Sequence, residues 1–154
     1  PPSTTTLAPI TTSSTPTTTT PAPVRHEEAD SLLSYEGSWT RSEDGAASQG
    51  GFVFADSRGA SVTVSFEGVH LAWIAKRSPV YGLADVTLDG RNLGTIDLYS
   101  PGTLLQQKVW GSGQLEPGPH TVTITCTGAK NPSSNGTAIN LDALDVTGVL
   151  TQAD

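Results

Sequence analysis

The stretch Thr121-Val122-Thr123-Ile124-Thr125-Cys126-Thr127 decides the fold class. Apolar and hydroxyl-bearing residues alternate strictly along it, which is the period of an antiparallel strand with one face buried and one face wet. The same period recurs outward in both directions. Residues 61–66 (SVTVSF) place Val62, Val64 and Phe66 on one face, Val86 and Leu88 flank Thr87, and Ile96 and Leu98 flank Asp97. Turn chemistry separates these runs at Glu67-Gly68, at Asp89-Gly90 and across 113–119. No stretch holds a helical period for three turns. Strands are expected at 32–36, 51–55, 61–66, 69–75, 83–88, 93–98, 105–110, 119–127 and 139–147. That spacing predicts an all-β chain folded as an antiparallel β-sandwich of the jelly-roll kind. Cys126 falls on the inward face of its strand and reads as a small buried hydrophobe rather than a nucleophile. Trp73, in phase with Val69 and Leu71, and Trp39 read as core rather than as sugar-stacking platforms, whereas Trp110 at a strand end is open to either reading.

The 154 residues are not uniform. Residues 1–23 hold ten Thr, six Pro and three Ser with no charge, and all of the net charge of -7 lies beyond them. The reading is a Thr/Pro-rich disordered linker over 1–24 and one folded module over 25–154. Such tracts are spacers of exported proteins, so a secreted or cell-surface location and a covalently linked partner domain are expected. With no Met and a Pro-Pro start, the chain reads as a piece of a longer protein. No apolar run approaches the ~20 residues of a membrane-spanning helix. The acidic balance argues against nucleic acid as a partner, the single Cys excludes an internal disulfide scaffold, and a monomer is expected.

Successive antiparallel strands send alternate connections to alternate ends. Counted from the first strand, 56–60, 76–82, 99–104 and 128–138 share one end. They carry Arg58, Lys76, Arg77, Tyr81, Tyr99, Lys130 and Asn131, including half of the eight basic residues, with Asp56 and Asp97 as the nearby acids. Tyr rings give flat platforms for sugar faces, and Lys, Arg and Asn donate to hydroxyls or carboxylates. The expected ligand is therefore a glycan, with an acidic one favoured by the basic residues.

His26, His70 and His120 share no metal-ligand spacing, and no nucleophile motif occurs, so no active site is expected. Calcium fits the composition better, because it needs converging oxygen ligands. Asp30 and Glu36 at the start of the module and Asp142 in its last strand are the candidates, brought together if the terminal strands pair. Asn135-Gly136-Thr137 is an N-glycosylation sequon in an expected loop.

Several runs carry a resemblance. They are Tyr35-Glu36-Gly37-Ser38-Trp39, SPVYGLADVTLDG at 78–90, Asp97-Leu98-Tyr99-Ser100, Pro117-Gly118-Pro119-His120-Thr121, Gly128-Ala129-Lys130-Asn131 and Asn140-Leu141-Asp142-Ala143-Leu144-Asp145-Val146. Together they resemble β-sandwich modules of the galactose-binding-like superfamily, similar to the carbohydrate-binding modules of secreted polysaccharide-active and cell-wall enzymes. The resemblance implies a jelly roll whose final strand supplies a calcium ligand, here Asp142, paired with a first-strand Glu near Glu36. It also implies a sugar site at the loop ends or on the concave sheet face. The function expected is a non-catalytic carbohydrate-binding module that tethers an enzyme to a polysaccharide. The alternative is a structural or adhesive surface module that binds no sugar.

Overall fold

The computed structural model describes residues 21–153, together with Ser3, Thr4 and Pro9. Most of the linker expected over 1–24 lies outside the described residues. Among them the chain is all-β and antiparallel. Its strands are β1 (Val24–Glu27), β2 (Ser34–Glu36), β3 (Thr40–Glu43), β4 (Gly51–Ala55), β5 (Ser61–Arg77), β6 (Leu83–Leu88), β7 (Arg91–Asp97), β8 (Leu104–Gly111), β9 (Gly118–Cys126), β10 (Ile139–Leu141) and β11 (Ala143–Thr151). One hydrogen-bonded path runs β1-β11-β5-β9-β6-β7, with β2 and β8 also on β5, and a three-stranded sheet runs β10-β4-β3. The expected β-sandwich is the observed fold.

The turn expected at Glu67-Gly68 is not a turn. Residues 61–77 form a single strand of 17 residues. Straight, it would span about 55 Å, wider than a domain of this size. It bends instead. The inward residues are Val62, Val64 and Phe66 before the bend and Leu71, Trp73 and Ala75 after it, a phase shift of one residue. Up to Gly68 the strand pairs with β9, and from Ala72 it pairs with β8. β11 follows it around the corner with a register shift between Thr147 and Gly148. Both arms contribute to one core, so the strand passes from one layer of the sandwich to the other.

Two glycines make the corner. A Cβ on Gly68 would lie 2.8 Å from the Gly148 Cα and closer still to the Thr147 carbonyl oxygen. A Cβ on Gly148, whose φ is +146°, would lie 2.6 Å from the Gly68 Cα. Backbone packs against backbone where no side chain fits.

Because β5 doubles back, the connections expected to share one end do share it. The Gly59 amide donates to the Cys126 carbonyl, Leu83 to Ala129, Gly82 to Ala138 and Asn135 to Pro79. Three further departures matter. β1 begins at the edge of the expected linker and pairs with β11. β3 (TRSE) lies inside an expected loop and carries no apolar residue to mark it. The final strand breaks at Asp142, so β10 pairs with β4 while β11 joins β5 and β1. Trp73 is 0% exposed and Cys126 1%, as the alternation required, and burial pushes the Cys126 thiol pKa up. Trp39 and Trp110 pack against the core from its margin.

At the opposite end, His120 Nδ1 lies 2.7 Å from an Asp89 carboxylate oxygen and Nε2 lies 2.7 Å from the Glu116 carbonyl. The Asp89 hydrogen bond holds the His120 pKa above its ordinary value. Partial desolvation opposes the charge on Asp89, but hydrogen bonds from His120 and the Thr121 amide outweigh it and lower the Asp89 pKa.

Gly68→Ala and Gly148→Ala should each lower the unfolding free energy by about 3 kcal/mol or prevent folding. Gly45→Ala, with open space at its Cβ, should stay within about 0.5 kcal/mol when all three variants are compared by urea titration. The raised His120 pKa fixes a second outcome. Its stabilisation is complete below the unfolded-state value and fades as pH rises through the folded one. Wild type should therefore lose its stability margin over His120→Gln as denaturation midpoints are followed from mildly acid to alkaline pH.

Candidate functional site

A cavity of about 500 Å³ opens at the loop end. Its walls come from β3 and β4, the end of β5 and the loops that follow β5 and β9. Ser42, Phe52, Phe54 and Asp56 line it from β3, β4 and the residue beyond. Lys76, Val80, Tyr81 and residues 136–138 line it from the other side. Phe52 and Tyr81 are 4% and 5% exposed and close the interior, whereas Val80, 51% exposed, stands at the rim. Burial pushes the Tyr81 phenol pKa up to about 12, so it stays protonated.

Lys76 is held from three directions. Its amide donates to Asn140 Oδ1 at 2.8 Å, and its carbonyl accepts from Asn140 Nδ2 at 2.8 Å. Its ammonium lies 3.3 Å from Asp44 Oδ2 and 5.0 Å from the centre of the Phe52 ring. Asp44 accepts from the Ala46 amide and then from Lys76, which together keep its carboxyl below the usual range. Ser134, 3% exposed, ties the two loops, its hydroxyl lying 2.7 Å from the Tyr81 carbonyl and 3.0 Å from those of Pro79 and Gly136.

Of the seven ligand residues expected from the sequence, Lys76 and Tyr81 line this cavity. Tyr81 does so as a buried wall, not as the exposed platform expected, because its bridge to Ala138 seats the ring in the core. Three others converge on Asp97. Arg77 Nη1 donates to its carbonyl at 2.9 Å, Asn131 Nδ2 to its Oδ2 at 2.7 Å and the Tyr99 amide to its Oδ1 at 2.8 Å. Lys130 Nζ donates to the Ser134 carbonyl at 2.7 Å. Arg58 is exposed, and its side-chain stem lies against Gly128. These five brace the loops or stand outside the cavity. The sequence does not mark Phe52, Phe54 or Ser42 as site residues, since Phe52 and Phe54 alternate along β4 as ordinary core residues do.

The second cluster is acidic. Glu27, Glu28 and Asp142 each bring one carboxylate oxygen within 4.8 Å of the others. Glu28 and Asp142 are 4% and 1% exposed. Desolvation, joined by the charges of Glu27 and Glu28, raises the Asp142 pKa to about 6 against the opposing Ser48 amide bond. The Ser48 amide lies 2.9 Å from Asp142 Oδ1, and the Ser48 hydroxyl lies 2.7 Å from Glu27 Oε1. Arg41 Nε lies 3.3 Å from Glu28 Oε1. Glu27 Oε2 and Glu28 Oε2 are buried with no partner among the described residues.

The expected metal set is thereby corrected. Asp142 belongs to the cluster, but Asp30 and Glu36 do not. Asp30 accepts from the Leu32 amide and meets His26 Nδ1, and Glu36 is exposed on β2 opposite Ser61. The reason is register: β1 pairs Glu27 with Ala143, beside Asp142, whereas β2 pairs with β5. Two unpartnered buried carboxylate oxygens and a spread under 4.8 Å suit a hard cation coordinated at about 2.3–2.6 Å.

No family model matches the chain. Two curated proteins of Flavonifractor plautii are similar to it. A type blood N-acetyl-alpha-D-galactosamine deacetylase is 31% identical over 108 residues, 69% of this chain and 14% of that protein. A type blood alpha-D-galactosamine galactosaminidase is 32% identical over 71 residues, 46% of this chain and 7% of that protein. At those shares of the chain the two matched stretches overlap. Among solved structures, a Paenibacillus xanthan lyase superposes on 86% of this chain with a TM-score of 0.61 at 21% identity, over 13% of its own length, a likeness of fold.

Ser134→Ala should cost about 1–3 kcal/mol, because the Tyr81 carbonyl it faces is left buried without that donor. Thermal unfolding of that variant beside Ser133→Ala, whose side chain is exposed, checks this. The chain is thus a β-sandwich similar to a minor part of much longer carbohydrate-active enzymes.

Proposed function

We propose that this chain supplies a non-catalytic carbohydrate-binding module whose loop-end cavity takes a sugar residue of a glycan. The module keeps a covalently linked carbohydrate-active domain at its substrate, outside the cell, by raising the local concentration of that domain. The observation that carries the reading is the cavity itself. It lies within the volume range of small-molecule sites and sets aromatic walls beside a few polar groups, the usual composition of such sites. Phe54 offers a partly exposed ring for the apolar face of a sugar, and Ser42, Asp56, Lys76 and Thr137 surround it with donors and acceptors.

The relatives support the glycan class. By name, one removes an acetyl group and the other cleaves a glycosidic bond, two reactions with different catalytic needs. The stretch both share with this chain is better read as what recognises their common glycan than as either catalytic centre. The proposed ligand is accordingly a galactose-type sugar, including its 2-amino forms. The acidic glycan expected from the basic loops fits less well: Lys76 is paired with Asp44, and Arg77 and Lys130 donate to backbone carbonyls.

Calcium belongs to the proposal as a structural ion at Glu27, Glu28 and Asp142. It would balance two of the three carboxylate charges at the junction of β1, β10 and β11, where Arg41 already faces Glu28, and fix the 44–50 loop through Ser48. No step of sugar recognition requires contact with it.

On a glycan array the full chain should bind galactose- or galactosamine-terminated glycans, and Phe54→Ala should lose about tenfold or more in affinity. An array blank for every glycan, or binding untouched by Phe54→Ala, contradicts the reading. Separately, calcium should raise the melting temperature of the wild type but not of Asp142→Asn. Equal melting in calcium and in chelator contradicts the metal site alone.

A further inference from the structure

The cavity has two charged side chains in its walls, and they are not equivalent. The Lys76 ammonium is already answered by the Asp44 carboxylate at 3.3 Å and the Phe52 ring at 5.0 Å. Asp56 is exposed and lines the same cavity, and among the described residues its carboxylate takes part in no side-chain hydrogen bond or ion pair. Its place is fixed. Asp56 follows Ala55, the last residue of β4, which is 2% exposed and paired with the fully buried Ile139. With Lys76 offset by Asp44, the uncompensated charge in the cavity is one carboxylate just beyond the end of β4, in a chain of net charge -7.

We propose that Asp56 makes this cavity selective for a hexosamine whose amine is free and protonated, over both the N-acetylated sugar and the plain hexose. The inference rests on the cavity being a sugar site. An ammonium group brings a positive charge and three donors, so Asp56 gains charge-assisted hydrogen bonds that a hydroxyl or a neutral acetamide does not match. Solvent at the open mouth screens the interaction, which keeps the discrimination modest. The competing feature is Val80 at the rim, 51% exposed, which could pack the methyl of an acetamide and favour the acetylated form instead.

Calorimetric titration of the full chain with three probes decides between them: methyl α-D-galactosaminide, methyl N-acetyl-α-D-galactosaminide and methyl α-D-galactoside. At mildly acid pH and low salt the galactosaminide should bind about tenfold more tightly than the galactoside, as one charge-assisted hydrogen bond at a partly exposed site allows. High salt should narrow the ratio. Asp56→Asn should bring it close to one without a change in melting temperature. Equal affinities, or a preference for the acetylated probe, overturn the amine selectivity and leave the sugar site standing. A ratio unaffected by Asp56→Asn overturns the role of Asp56. Failure of all three probes to bind contradicts both this inference and the sugar site on which it rests.

Discussion

Everything at the loop end depends on the contact between Gly68 and Gly148. There β5 and β11 turn together from one layer of the sandwich into the other, and each glycine occupies the space that a Cβ on its partner would need. Because β5 folds back on itself, the connections before and after it emerge on the same side. The cavity is the consequence: Asp56 comes from the connection before β5, Lys76 and Tyr81 from its far end and the connection after it. A hairpin would have given the same parity. The bent strand gives it with an unbroken run of backbone pairing and with both arms in one core.

A second junction sits at Asp142, where the chain leaves the three-stranded sheet for the larger one. The carboxylate is buried because both strands it joins are buried, and β1 brings Glu27 and Glu28 to it from the chain's other end. This junction and the cavity share a support. Ser48 bonds to Asp142 and Glu27, while Asp44, on the same loop, holds Lys76. Asn140, two residues before Asp142, clamps the Lys76 backbone. Loss of order at the carboxylates would thus reach the pocket through the 44–50 loop and through β10.

The period of two made the fold legible, and most strands lie where the alternation places them. Gly68 shows where that reading ends. A glycine between two alternating runs serves equally for a turn or for a corner inside one strand, and only the partner glycine, eighty residues on in sequence, distinguishes them. β3 was hidden because Thr-Arg-Ser-Glu carries no apolar face. Strand parity marks the loop end, but not which of its side chains line the cavity. Basic and aromatic residues suggested a site, yet Arg77, Asn131 and the backbone of Tyr99 are drawn to Asp97, and the Tyr81 ring to the core. The aromatic walls came instead from Phe52 and Phe54, which the same alternation marks as ordinary strand residues. The carboxylates illustrate register: the expected first strand, 32–36, pairs with β5, and it is β1, at the edge of the expected linker, that aligns Glu27 with Ala143 and so brings acids to Asp142.

The central claim is that the cavity between β4 and the loops after β5 and β9 is where this chain meets a sugar. Amide chemical-shift mapping of the full chain during titration with methyl α-D-galactosaminide tests it most directly. The account predicts shifts concentrated at Phe54, Asp56, Lys76, Thr137 and Ala138, with the outer face of β9 around Thr123 unmoved. Shifts centred on that face, or on the network around Asp97 and Asn131, would contradict it.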